Sequence, residues 1–178
     1  MVTLVVGGAR SGKSSFAESI FKEKRDVVYI ATDRVEDEEM AQRVQCHRSM
    51  RPSFWRTFEG TYNIESAVGL EKHYLLDCIT VLTSNIMFDM SKDTLLIDSK
   101  LQSLIEDKAV KEIEKLVNKS KDLGLELVMV TNEVGCSIVP ENHIARVYRD
   151  IIGRVNQRVA EMSDEAYGVI CGIPLKLK

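Results

Sequence analysis

Apolar residues in this chain come in short runs, separated by longer stretches in which they recur every three or four positions. The first run, Thr3 to Val6, is β-branched and aliphatic and stops at Gly7-Gly8. After it, Lys13 to Lys24 sets Phe16, Ile20 and Phe21 at helical spacing, which predicts strand, glycine loop, helix. Asp26-Val27-Val28-Tyr29-Ile30 predicts a second buried strand. The segment after Val35 reads as a polar helix ending near Arg48, because Arg51 precedes Pro52 and a residue before proline avoids the helical region. Tyr74 to Asp77, Leu125 to Val130 and Ala166 to Cys171 are three further strand candidates. Lys100 to Leu123 predicts a long helix with Leu101, Leu104, Ile105, Ile113, Leu116 and Val117 on one face and Gly124 as its stop. After Pro140 another helix repeats Val147, Ile151, Val155 and Val159 every four residues, beside Arg146, Asp150, Arg154 and Arg158 at the same interval. Strands alternating with helices along the whole length predict an α/β domain whose mainly parallel sheet is covered on both faces.

Composition narrows the class. With 178 residues, three prolines, ten glycines, no internal repeat and no Pro/Gly/Ser-rich linker, one domain spanning residues 1–178 is expected. At 44% hydrophobic and 29% charged residues the chain is an ordinary globular protein, not a disordered or collagen-like one. No window approaches the ~18 consecutive apolar residues of a spanning helix, and no basic leader precedes the first strand, so neither membrane insertion nor export is expected and a cytoplasmic location is. Cys46, Cys78, Cys136 and Cys171 form no CxxC pair, so reduced thiols are expected rather than a disulfide or zinc framework.

A formal charge of −3, from 24 basic and 27 acidic residues, argues against nucleic acid as a partner. The charge is nevertheless uneven. Met40 to Phe58 holds Arg43, His47, Arg48, Arg51 and Arg56 with no acid, whereas Asp33 to Glu39 carries five acids and one arginine. A local cationic segment on a mildly acidic protein suits a small polyanion.

Gly7-Gly8-Ala9-Arg10-Ser11-Gly12-Lys13-Ser14 satisfies G-x-x-x-x-G-K-[ST], with a predicted strand before it and a helix after it. That spacing lets successive N–H groups converge on a phosphate, brings Lys13 to the outer phosphates and leaves the Ser14 hydroxyl for Mg²⁺. The expected architecture is therefore the three-layer fold of P-loop nucleoside triphosphate hydrolases. Asp77, closing an apolar run, stands where such enzymes keep a carboxylate for Mg²⁺; the bland alternative is an N-cap for a helix starting at Ile79. In the basic segment, cationic neighbours disfavour imidazolium and keep His47 neutral and nucleophilic, although a lone histidine is more often a surface or capping group. Trp55 could stack on a base or anchor the core. The Arg146/Arg154/Arg158 stripe could meet substrate, another subunit or water.

Beyond the P-loop, an ordered set of segments runs nearly end to end: GGARSGKSS from Gly7, YIAT from Tyr29, DEEMAQR from Asp37, HRSMRPSFW from His47, LLDCIT from Leu75 and TNEVGCSIVP from Thr131, then Ala145-Arg146, Asp150, Gly153 to Gln157 and Gly172-Ile173-Pro174. On these segments the chain resembles the bifunctional adenosylcobinamide kinase and adenosylcobinamide-phosphate guanylyltransferase family of adenosylcobalamin synthesis. The resemblance implies phosphorylation of adenosylcobinamide by ATP or GTP. It also implies transfer of GMP from GTP to the resulting phosphate, through a guanylylated histidine that by position is His47. It further implies Mg²⁺ with the nucleotide, and a cytosolic homo-oligomer, typically a trimer. Carried over by position, Gly7 to Ser14 would hold phosphates, Thr32, Asp33, Arg34, Arg48 and Arg51 would line the nucleotide, and Glu59 and Asp77 would contact it or its metal. Where the family often has a second glycine after NEVG, this chain has Ser137. The competing expectations are a P-loop kinase for another small metabolite and a GTPase-type switch; the latter lacks N-K-x-D, its nearest string being Asn118-Lys119-Ser120-Lys121.

Overall fold

The structure is a computed structural model that describes residues 1–34, 52–92, 94 and 96–178. The helix expected between Val35 and Arg48, and with it Arg43, His47, Arg48 and Arg51, lies outside the described residues.

In chain order the elements are β1 (Val2–Gly7), α1 (Lys13–Ile20), β2 (Val27–Ala31), β3 (Arg56–Glu59), a 3-10 turn (Ile64–Ala67), β4 (His73–Asp77), α2 (Ile79–Ser91), α3 (Ser99–Asp122), β5 (Glu126–Asn132), α4 (His143–Met162), β6 (Glu165–Ile170) and β7 (Ile173–Lys176). They form one seven-stranded sheet in the order β3-β2-β4-β5-β1-β6-β7. Every neighbouring pair is parallel except β6 and β7, which form an antiparallel hairpin.

Side chains alternate between two cores, as a strand's two-residue period requires. Leu4, Val28, Ile30, Tyr74, Leu76, Leu127 and Met129 pack with apolar residues of α2, α3 and α4. Their odd-numbered or even-numbered neighbours Val5, Val27, Tyr29, Leu75, Val128 and Val130 pack with Ala17, Phe21 and Trp55. Strands buried on both faces read as continuous apolar runs, which is why β1, β2, β4 and β5 were legible in the sequence. The two strands that sequence reasoning missed, β3 and β7, lie at the sheet edges and are largely exposed, so neither run nor alternation marks them.

The helices start and stop on local chemistry. The Asp98 side chain accepts from Leu101 N–H at the head of α3, and Asn142 accepts from Ala145 N–H at the head of α4. Gly124, at φ +65°, ends α3 as expected. The α4 stripe of Val147, Ile151, Val155 and Val159 is buried as its period demands. On α3 one expectation needs correction: Leu104 is exposed, because the buried stripe is Ile105, Ala109, Ile113 and Leu116, and Leu104 sits one position off it. Among the described helices none is long and apolar enough to cross a membrane.

Candidate active site

The parallel register brings the C-terminal ends of β1, β2, β3, β4 and β5 to one edge of the sheet: Gly7 pairs with Asn132, Asp77 with Val130 and Ala31, and Glu59 with Ala31. The phosphate loop leaves β1 at this edge. Gly12 occupies the position before α1 in the left-handed region, φ +92°, and gives no side-chain cap to the helix. The first-turn N–H groups of α1 are thus left without an intrahelical or capping acceptor, at the positive end of the helix dipole, which is the arrangement that binds an anion. Two close approaches make glycine necessary here. A Cβ on Gly7 would sit 2.4 Å from Ser11 Oγ and 2.7 Å from the Val169 carbonyl oxygen. One on Gly12 would sit 3.1 Å from Gly172 Cα. The loop is tied to its surroundings by Ser11 N–H to Gly8 O, Glu133 N–H to Gly7 O and Gly172 N–H to Ser11 O. Lys13 Nζ donates to Gly8 O at 3.2 Å, holding the ammonium over the loop's own backbone.

Asp77 ends β4, two strands from β1, which at ~4.8 Å per strand is about 10 Å from the loop. Its Oδ2 accepts from Tyr29 Oη at 2.9 Å. The N-cap alternative is corrected: Cys78 holds the capping position of α2, and no side chain caps that helix. Cys78 itself is buried and its thiol is pushed up to about 12 by desolvation and the neighbouring Asp77 charge, so it is an inert core residue. Ser14, in the first turn of α1, and Asp77 offer a hydroxyl and a carboxylate oxygen. These hard donors fit Mg²⁺, which keeps most of its waters and takes one or two protein oxygens beside a nucleotide. Among the described residues no group of three or more His, Cys, Asp or Glu forms a metal-holding cluster, as a metal that arrives on a nucleotide does not need one.

The remaining expected residues are distributed unevenly. Thr32 is buried, its Oγ1 donating to Cys78 O and accepting from Cys78 N–H, so it clasps the ends of β2 and β4 together. Arg34 makes a two-pronged ion pair with Asp89 on α2, at 2.8 and 2.7 Å, and Tyr62 Oη donates to the same carboxylate at 2.7 Å. That pair anchors the chain leaving β2. The Asp89 carboxyl is held well below the usual carboxylate range, first by Arg34 and then by Tyr62, while burial and this bond push Tyr62 up to about 12. Asp33 sits half-buried beside Arg34, and Glu59 is exposed at the tip of β3. Four strand spacings, about 19 Å, separate Glu59 from the P-loop strand, so the two cannot grip the same phosphate. Trp55 is a core anchor, 7% exposed, with Nε1 donating to Lys24 O. The arginine stripe of α4 divides: Arg154 and Arg158 pair with Glu106 and Asp107 on α3, and Arg146 donates to the Pro140 and Glu141 carbonyls.

Sequence reasoning missed three parts of this edge. Tyr29 lies within an apolar run that reads as core, the Cys171-Gly172 turn falls at the end of a strand candidate, and Asn132 lies in the Thr131–Pro140 segment with nothing in the pattern to give it a role. The turn had a readable signal, a Cys-Gly pair between two short apolar runs, both residues having positive φ.

Comparison with known proteins agrees with this geometry. The profile of a family described as cobinamide kinase / cobinamide phosphate guanyltransferase matches residues 3–177. The chain is 40% identical over 182 aligned positions to the bifunctional adenosylcobalamin biosynthesis protein CobU of Escherichia coli K12, and 41% over 188 to that of Salmonella typhimurium LT2, each alignment covering 100% of both chains. It is 32% identical over 183 positions to the bifunctional adenosylcobalamin biosynthesis protein CobP of Pseudomonas aeruginosa PAO1, covering 100% of this chain and 98% of the relative.

Proposed function

Because the chain belongs to the cobinamide kinase / cobinamide phosphate guanyltransferase family, we propose that one triphosphate cradle, Gly7 to Ser14, serves both of its reactions. It is a bifunctional enzyme of adenosylcobalamin synthesis, a kinase and a guanylyltransferase. The observation that carries the shared-cradle reading is the uncapped N-terminus of α1 behind a left-handed Gly12, with Lys13 poised over the loop.

In the kinase step, the hydroxyl of adenosylcobinamide attacks the γ-phosphorus of ATP or GTP. The bond to the β–γ bridging oxygen breaks, the nucleoside diphosphate leaves, and the hydroxyl proton departs to solvent. Lys13 and the α1 N–H groups meet charge that grows on the transferring group. Ser14 and Asp77 would hold Mg²⁺, whose charge offsets that of the phosphates. In the second step, a ring nitrogen of His47 attacks the α-phosphorus of GTP and pyrophosphate leaves. A phosphate oxygen of adenosylcobinamide phosphate then attacks the same phosphorus, the P–N bond breaks and His47 is regenerated. Asp33, Arg48, Arg51 and Glu59 would serve the nucleoside side, away from the cradle, where Thr32 and Arg34 brace the backbone through Cys78 and Asp89. On this reading the enzyme is a cytoplasmic, single-domain homo-oligomer, and light scattering tests it as a trimer.

The test follows two labels on one preparation. GTP labelled at the γ-position should pass label to the corrinoid phosphate, and GTP labelled at the α-position should pass it to the nucleotide-linked product with release of pyrophosphate. Lys13→Ala should abolish both transfers. Parental turnover of either reaction by that variant would remove the shared cradle from the mechanism.

A further inference from the structure

β5 runs between the P-loop strand and the Asp77 strand, and its last residue, Asn132, pairs in register with Gly7. The residue is fixed from two directions, once through its side chain and once through its backbone. Its Nδ2 donates to Thr80 Oγ1 in the first turn of α2 at 2.9 Å, and its backbone carbonyl accepts from Asn156 Nδ2 on α4 at 3.0 Å. Asn156 is itself held by Thr131 Oγ1 at 2.7 Å, and the Thr80 carbonyl accepts from Tyr148 Oη at 2.8 Å. Against this ordering, Asn132 Oδ1 is buried and has no hydrogen-bond partner among the described residues. Ser11 Oγ, within the loop and close against Gly7, is in the same condition. The other two such atoms, Glu65 Oε2 and Ser120 Oγ, belong to the 3-10 turn and α3, so the orphaned atoms at this edge are one within the cradle and one on the strand beside it.

Buried acceptors are nearly always satisfied, and a fixed one that is not points to a partner supplied by ligand. An amide oxygen can only accept. Phosphate oxygens are acceptors too, so the nucleotide's phosphates cannot be that partner; it must carry an O–H or N–H. Two O–H groups come to this edge in the reading above, on which this inference rests: water coordinated to Mg²⁺ beside Ser14 and Asp77, and the alcohol that receives the γ-phosphoryl group. We propose that Asn132 is a further functional residue of the phosphoryl-transfer site, its Oδ1 accepting a hydrogen bond from such an O–H group and orienting it between the P-loop and Asp77.

The test compares Asn132→Ala and Asn132→Asp with the parent, alongside Lys13→Ala. Aspartate keeps an acceptor oxygen at the same place, and Thr80 can turn its hydroxyl to donate to it; alanine keeps neither. Four quantities are read: melting temperature, affinity for a non-hydrolysable GTP analogue with and without Mg²⁺, and kinase kcat and KM for adenosylcobinamide. Asn132→Ala should bind the analogue without Mg²⁺ within about threefold of the parent and lose roughly ten- to hundredfold in kcat, the size of one hydrogen bond to a charged or reacting group. Asn132→Asp should recover most of that loss. If the partner is metal-bound water, the Mg²⁺ needed for half-maximal analogue binding rises in Asn132→Ala. If it is the acceptor alcohol, Mg²⁺ dependence stays and kcat alone falls. Asp no better than Ala would mean the amide donates, or only braces the strand, and would overturn the proposal. So would kcat within twofold of the parent in Asn132→Ala, or a loss of Mg²⁺-free affinity parallel to the loss of kcat. Normal turnover by Lys13→Ala would instead overturn the site reading itself, whatever Asn132 does.

Discussion

Replacing Gly12 by alanine isolates the feature on which the cradle depends. At φ +92° the residue lies in the left-handed region, where a Cβ costs roughly 1–2 kcal/mol. The new Cβ would also come 3.1 Å from Gly172 Cα, and Gly172 cannot simply withdraw, because its N–H is bonded to Ser11 O at 2.8 Å. Stretching that bond forfeits about 1 kcal/mol net. The perturbation is therefore about 2–3 kcal/mol, and it can be taken up in two ways. If the loop keeps its form, the cost falls on folding, and the melting temperature should drop by roughly 4–12 °C at 2–4 °C per kcal/mol for a chain of this size. If the loop relaxes, the cost falls on binding, and affinity for a GTP analogue should fall about 30- to 150-fold. Titration calorimetry and thermal unfolding on one sample read both. Gly124→Ala is the control: φ is +65°, a Cβ there meets nothing within 4 Å, and the position is the end of α3, so it should lose stability and keep affinity. Parental affinity together with parental melting temperature in Gly12→Ala would refute the reasoning.

Asp77→Asn should raise the Mg²⁺ concentration required for either reaction, since one formal charge is lost while shape and the Tyr29 contact are kept; unchanged Mg²⁺ dependence in an activity titration would take Asp77 out of the metal site. Asp89→Asn should flatten the acid limb of stability: the folded carboxyl is depressed, so its contribution is complete above the ordinary carboxylate pKa near 4 and is lost as pH falls below it, and the variant's melting temperature should approach the parent's only at low pH. A difference that grew on acidification would contradict the Arg34–Asp89 account. Trp55→Ala should cost about 3–5 kcal/mol of stability, read by denaturant unfolding, with nucleotide affinity of the folded protein unchanged; the opposite pattern would mean the ring contacts a base.

What was legible in the sequence follows from burial. β1, the glycine loop and α1 were readable together because an apolar run, a left-handed turn and a helical period each leave a separate mark at Val2 to Gly7, Gly12 and Phe16 to Phe21. The buried valine and isoleucine stripe of α4 was readable for the same reason. Arg56 to Glu59 and Ile173 to Lys176 were not, since an edge strand with exposed side chains carries no periodic demand. Side-chain roles were harder than elements. The resemblance puts Arg34 along the nucleotide, and the fold adds what no sequence pattern carries, that Asp89, fifty-five positions on, engages its guanidinium. Asn132 gave no sign beyond a polar residue at a strand end, because its meaning lies in contacts with Thr80 and Asn156 on two different helices.

The central claim is that one chain runs two phosphorus chemistries, direct transfer at the γ-position and covalent relay through His47 at the α-position. Incubation with GTP labelled at the α-phosphate, followed by denaturing electrophoresis, tests it most directly. Label should remain on the protein through a bond labile to acid and stable to base, as a phosphoramidate is. It should be absent from His47→Ala, while γ-phosphoryl transfer to adenosylcobinamide survives at least in part. No retained label in the parent, label retained by His47→Ala, or a bond stable to acid and labile to base would contradict the account and place the nucleophile elsewhere.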